Sequence, residues 1–270
     1  MFFAFDAVYT SSMNAIQQRL FDALCSFDSL CSTNGIQYYL AYGTLLGAIR
    51  HEGFIPWDDD VDVFMKRADY ERFLALDASL KGTDFSIDAW ETDKGHHWPF
   101  AKFRNTSTSL HLRDDDRFGT RGRGVWIDVF PLDPCPSQQD KSFQRWFKKR
   151  KRLCSFIAVK SLKWKNTWTA RQRIGKLLAM FVSRERFIRQ FKALNKRFGD
   201  GEDFLLSAEY DDRIFMYPSS VFSQQKLVKF EGVLFPIPQQ YQELLTIMYG
   251  DYMTPPPLSE RHTHFAAIEK

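Results

Sequence analysis

The sequence predicts an α+β fold, and three observations predict it. A long stretch near the start has the apolar spacing of a helix. Short apolar runs carrying isolated acids follow, as strands would. A strongly basic block of helical periodicity then separates this part from mixed structure that resumes after residue 199.

Taken in order, Ser12 to Thr33 places Met13, Ile16, Leu20, Leu24, Phe27 and Leu30 on one helical face and stops at Asn34-Gly35. Ile36 to Tyr42 reads as a short aromatic strand. Thr44 to Arg50 reads as a helix capped at Gly43 or Thr44. A loop with Pro56 leads to an acidic strand, Val61 to Met65, and then a helix from Ala68 to Leu80. Phe85 to Trp90 and Trp98 to Arg104 are expected strands, Asn105 to Gly124 a polar flap, and Val125 to Phe130 a strand ending at Pro131. From Lys141 to Phe198 the pattern gives two or three helices, broken near Lys165-Asn166-Thr167. Phe143, Phe147, Phe156, Ile157, Leu177, Leu178, Phe181, Phe187, Ile188 and Phe191 are expected to face inward. Leu227 to Phe235 forms a hairpin around Glu231-Gly232, and Pro238 to Tyr249 a helix ended by Gly250. This organisation divides the chain into a core (1–137), a basic helical insertion (138–198) and C-terminal elements that complete the core (199–270).

The net charge of +4 over 270 residues conceals an asymmetry. Lys141 to Arg197 holds 19 Lys and Arg against a single acid, Glu185, so the remainder is acidic. Such a block suits a solvated face or an anionic partner. No run approaches the ~18 apolar residues of a spanning helix. The opening MFFAFDAVYTSS lacks a basic lead and contains Asp6, so it is a poor signal peptide. Cys25, Cys31, Cys135 and Cys154 show neither paired nor zinc-type spacing, as expected of reduced thiols in a cytoplasmic protein.

The chemistry concentrates in YLAYGTLLGAIRHEGFIPWDDDVDVFM, Tyr39 to Met65. Asp58, Asp60 and Asp62 alternate, and on a strand alternate side chains share a face and can meet one cation. Gly43 and Thr44 open a helix whose free N–H groups suit a phosphate. An EF-hand is excluded, because Val63 stands where the loop needs Gly and Asp69 where it needs the bidentate Glu. A solvated acidic loop fits poorly beside Val61, Val63, Phe64 and Met65. A catalytic Mg²⁺ site and a structural metal site remain, and only the first explains the glycine turn.

The run GTLLGAIRHEGFIPWDDDVDV resembles the signature of the LicD family of phosphotransferases, which includes fukutin-related proteins within the nucleotidyltransferase superfamily. Gly43, Thr44, Arg50, His51, Gly53, Trp57, Asp58, Asp60 and Asp62 carry the resemblance. It continues more weakly in FAKFRNTST, WIDVFPLD, FEGVLFPIP and YGDYMTPPP with RHTHF, while the basic block matches no family motif.

The resemblance implies a small mixed sheet of nucleotidyltransferase type and transfer of a phosphoalcohol from a nucleotide-diphosphate-linked donor, CDP-choline for example, to a sugar hydroxyl of a surface glycan or lipid-linked precursor. It implies Mg²⁺, with Mn²⁺ as the alternative, on Asp58, Asp60, Asp62 and Asp128. Asp60, Asp62 and Asp128 are the expected catalytic carboxylates, with Asp62 and Asp128 the candidate bases. Gly43, Thr44, Arg50, Lys102, Arg104 and His264 are the expected phosphate contacts, Lys102 and Arg104 forming a clamp from alternate strand positions. His262 stands beside His264, and Asp114-Asp115-Asp116 reads as a solvated loop. Two other functions compete: a nucleotidyltransferase moving a nucleoside monophosphate, and a non-enzymatic protein binding anionic lipid or nucleic acid through the basic block. No nucleic-acid motif appears there, so nucleic acid is not an expected partner. The expected location is cytoplasmic, with peripheral contact at an anionic membrane.

Overall fold

The computed structural model describes residues 13–111, 121, 123–137, 139–161, 169–199, 203–207, 215–261 and 267–268. The fold is α+β, a mixed sheet flanked by helices. The chain opens with α1 (Ala15–Thr33), β1 (Tyr39–Leu40), α2 (Tyr42–Arg50), β2 (Asp62–Lys66) and α3 (Arg67–Ala75). Next come β3 (Phe85–Asp88), β4 (Ala101–Asn105), β5 (Leu110–His111) and β6 (Trp126–Cys135). The basic block forms α4 (Lys141–Ser161), α5 (Ala170–Met180) and α6 (Arg184–Asn195). The chain closes with β7 (Phe204–Ser207), β8 (Met216–Pro218), β9 (Gln225–Phe230), β10 (Val233–Pro238), α7 (Tyr241–Tyr249) and β11 (Ala267–Ile268).

The main sheet runs β1-β2-β6-β4-β3, with β7 paired to β6 and β8 to β7. Only β2 and β6 are parallel, and both lie at its centre. β6 is the axis of the molecule, and it does not stop at Pro131 as the sequence suggests. Asp128 donates its backbone N–H to Val61 on the β2 side, so by alternation residue 131 turns its nitrogen to the other side. There β4 has ended opposite Val129 and β7 begins opposite Leu132. Pro134 faces the β2 side, where pairing ends at Leu132. Both prolines occupy positions with no ladder bond to lose.

Apolar spacing on α1 buries Leu20, Ala23, Leu24 and Phe27 beneath the sheet, and Phe27 meets Phe73 and Phe103 edge-on. Asn14 caps this helix in a reciprocal box with Gln17. The hairpin forms as expected. Glu231 and Gly232 both take positive φ, 50° and 82°, the tight two-residue turn that a right-twisted ribbon favours.

Helices α4 and α6 have their own apolar cluster. Phe143, Trp146, Leu153 and Ile157 of α4 pack with Phe187, Ile188, Phe191 and Leu194 of α6, and onto Trp90, Cys135 and Leu206. Three side chains expected inside are instead exposed: Phe156, Leu177 and Phe181. The helical period is present, but α5 follows the outer side of α4 and has nothing beyond it to pack against among the described residues. Leu178, Asp114-Asp115-Asp116 and the break near Lys165-Asn166-Thr167 lie outside the described residues and side chains. No disulfide joins the four cysteines. Among the described residues, no helix is long and apolar enough to cross a membrane.

Candidate active site

Strand register builds the site. Asp62 on β2 lies opposite Asp128 on β6, Asp128 lies opposite Lys102 on β4, and Lys102 lies opposite Asp88 on β3. One row of charged side chains therefore crosses four strands on one face of the sheet. Two residues along, the next row is Trp126, Arg104 and Ser86.

Lys102 donates its ammonium to Asp128 Oδ1 at 2.6 Å. The ammonium lies 4.2 Å from the Trp126 ring centroid, with Phe100 and Trp98 at 5.4 and 5.7 Å. Burial pulls both partners toward neutrality, Asp128 upward and Lys102 downward, and their mutual attraction offsets only part of that. Asp62 is pushed well up, first by burial and then by Asp60, Asp128 and Asp58. The four predicted carboxylates thus share one electrostatic neighbourhood, in which negative charge outweighs the single lysine.

Only Asp62 of the acidic run is on the strand. Asp58 and Asp60 are half-buried in the extended loop before it, and Asp59, which alternation points away, is buried. The loop is held from outside. Gln17 of α1 donates to the Asp58 carbonyl at 2.9 Å and the Ile55 carbonyl at 3.5 Å. Gln17 was missed in the sequence, although a glutamine on the apolar face beside Ile16 and Leu20 is the signal that finds it.

Helix α2 starts at Tyr42, two residues before the expected start, with Ala41 at the N-cap position and no side-chain cap. Tyr42 takes φ 42°, an unfavourable conformation for a bulky residue. Its ring packs edge-on against Phe64 and Phe130, and its hydroxyl donates to Ser207 at 2.8 Å. Gly43 then comes so near the acidic loop that a Cβ there would stand 2.5 Å from Asp58 Oδ2. Thr44 is buried and its hydroxyl accepts the Asp62 backbone N–H at 2.9 Å, so it joins helix to acidic strand.

Arg104, expected beside Lys102, is fully buried, paired to Asp88 at 2.6 Å and donating to the Gly124 carbonyl at 2.9 Å, so it holds the sheet edge. Arg50 donates to the Tyr252 carbonyl at 2.9 Å. Near it Arg261 stacks 4.2 Å from the Trp57 ring centroid, with His51 edge-on to the same ring. Burial and neighbouring Arg50 lower His51 to about 4, so it is neutral. His262 and His264 lie outside the described residues.

No group of three or more His, Cys, Asp or Glu is drawn onto a single point among the described residues. The donor set nevertheless suits a hard divalent cation: carboxylate oxygens only, two of them destabilised as anions by burial and by one another. A cavity of about 400 Å³ lies elsewhere, between α3 and α6 at the far end of β6, lined by Arg67, Pro134, Phe191 and Lys192 among others.

Residues 35–159, which contain the whole carboxylate row, match the family model described as LicD/FKTN/FKRP, nucleotidyltransferase domain. This part of the chain is a LicD-family domain. Similarity extends beyond it. The lipopolysaccharide cholinephosphotransferase LicD of Haemophilus influenzae is 28% identical over 251 residues, 88% of this chain and 90% of that protein. The human ribitol 5-phosphate transferase FKRP is 31% identical over 99 residues, 35% of this chain and 20% of that one. A Rickettsia prowazekii protein without an assigned function is 42% identical over 50 residues, 18% of this chain and 19% of its own length.

Proposed function

We propose that this chain is a phosphotransferase acting on glycans. In that reading it moves a phosphoalcohol of phosphocholine type from a nucleotide-diphosphate-linked donor, CDP-choline for example, to a sugar hydroxyl. The observation that carries the reading is the Asp62–Asp128–Lys102 row beside the N-terminus of α2, in a domain whose relatives are named for cholinephosphate and ribitol phosphate transfer.

Asp58, Asp60, Asp62 and Asp128 would hold Mg²⁺ or Mn²⁺. Such a cation supplies charge neutralisation for the diphosphate and the departing nucleotide phosphate. The first N–H groups of α2 lack partners within their helix, so in this reading they receive phosphate oxygens. Thr44 keeps that helix end against Asp62. Asp128 is oriented by Lys102 and by a Trp126 side-chain hydrogen bond, and burial raises its proton affinity. It takes the proton of the acceptor hydroxyl. The acceptor oxygen forms a bond to the phosphorus carrying the alcohol, the diphosphate P–O bond breaks, and the nucleoside monophosphate leaves.

The test incubates purified protein and Mg²⁺ with CDP-alcohols and a glycan acceptor, and identifies both products. The reading expects phosphoalcohol on the glycan and CMP in solution, both lost in Asp60→Asn with folding intact. Nucleoside monophosphate on the acceptor would overturn it in favour of nucleotidyl transfer.

A further inference from the structure

Helix α5 leaves an apolar stripe in solvent. Ile174, Leu177 and Phe181 are 57%, 51% and 88% exposed. At i, i+3 and i+7 they fall within about 60° of one another around the helix, Phe181 one residue past its last turn. The opposite side is fixed by Lys176, whose ammonium donates to the Val159 carbonyl of α4 at 3.0 Å. The stripe therefore points away from α4 and, among the described residues, meets no other element. Phenylalanine this exposed, in line with two aliphatic neighbours, marks a contact surface.

The charge around it selects the partner. The segment Ala170–Met180 contains no acid, and Lys141 to Arg197 contains one among 19 bases. Arg150 and Lys192 are turned inward onto acids of the core, Asp133, Glu71 and Glu91. Lys148, Lys149, Lys151, Arg152, Arg173 and Arg186 remain exposed. A second copy meeting through the same face would set two such blocks against each other, at a cost in repulsion. A nucleic-acid backbone would satisfy the bases and leave the apolar stripe in water. A bilayer surface bearing anionic headgroups satisfies both at once: apolar side chains enter the acyl boundary while lysine and arginine meet lipid phosphates.

We infer that the α4–α6 unit docks peripherally on an anionic lipid bilayer, with Ile174, Leu177 and Phe181 as the inserted residues. Nothing in this step depends on transfer activity. The test is co-sedimentation of the full-length protein with vesicles of phosphatidylcholine alone, or of phosphatidylcholine mixed with phosphatidylglycerol. Wild type is expected to pellet with the mixed vesicles and to be released as salt is raised. The triple variant Ile174→Ser/Leu177→Ser/Phe181→Ser is expected to bind at least about tenfold more weakly with an unchanged thermal melt, since none of the three is in the core. Phe181→Ser alone provides the milder variant and is expected to lose part of the binding. Equal pelleting with both vesicle types, or full binding by the triple variant, overturns the inference. So does a wild type that ignores vesicles but shifts a DNA duplex, or that forms a dimer abolished by the serines.

Discussion

Asp128 and Asp133 stand five residues apart on the same strand, and both are withdrawn from water, with side chains 16% and 0% exposed. Their surroundings drive them in opposite directions. Asp133 receives Arg67 at 2.6 and 2.9 Å, Arg150 at 2.8 Å and Asn195 at 3.0 Å. Burial alone would raise its proton affinity, but the two guanidiniums outweigh it and hold Asp133 below the usual carboxylate range. Asp128 has one ammonium and two neighbouring acids, Asp60 and Asp62, and burial wins. Asp133 is a saturated carboxylate that fastens α3, α4 and α6 to the end of β6. Asp128 lacks enough positive charge to offset its burial, the condition that the proposed cation and base roles require.

That contrast can be broken at either end. The largest expected effect is on catalysis. Asp128→Asn should lower transfer by about 10²–10⁴-fold, the range of a lost general base, with a thermal midpoint near wild type. Loss of fold in this variant, or activity near wild type, would dissolve the distinction. Asp133→Ala should act the other way, costing about 3–5 kcal/mol of stability because buried Arg150 loses its counter-ion and Arg67 keeps only the longer contact to Glu71 at 3.5 Å. Urea titration reads this loss, and the activity remaining per folded molecule should be unaltered.

Acid separates the two ends further. A carboxyl lowered in the fold contributes stability that is present above its unfolded value of about 4 and lost as pH falls through the folded value. Asp133 behaves so. His96 adds to the same trend: burial lowers it to about 3, while its ring bonds the Phe100 carbonyl at 2.7 Å. The unfolded chain takes up that proton below about pH 6.5, so His96 alone should remove on the order of 4 kcal/mol between pH 6.5 and 3. Asp62 and Asp128, being raised, contribute with the opposite sign. Unfolding measured against pH should show the net acid loss, and Asp133→Asn should abolish its lower portion only. The smallest effect is at the joint between helix and strand. Thr44→Val strands the Asp62 N–H and should cost about 1–3 kcal/mol. A midpoint identical to wild type would mean that the hydroxyl is not what holds the strand.

Much of this was legible beforehand. The apolar period marks α1, α4 and α6, and Glu231-Gly232 marks the hairpin. The alternation of Asp58, Asp60 and Asp62 singles out the acidic run, and an isolated Asp between Ile127 and Val129 singles out Asp128. The rest was illegible because each error concerned a partner distant in sequence. Lys102 and Arg104 look equivalent along the chain, yet one meets Asp128 and the other Asp88. Thr44 opens a helix along the chain, and only the fold sets the Asp62 N–H against its hydroxyl. Phe181 satisfies a helical period whether or not anything lies opposite.

By itself, then, the sequence determined the elements, the nature of the donor groups and the family, since these depend on residue types at short spacing. The tertiary structure alone decided which charges compensate which. Register set Asp62, Asp128 and Lys102 in one row, and β6, running on past Pro131, carried Asp133 to its two arginines. Coulomb energy and desolvation depend on distances across strands, and those distances exist only once the strands are paired.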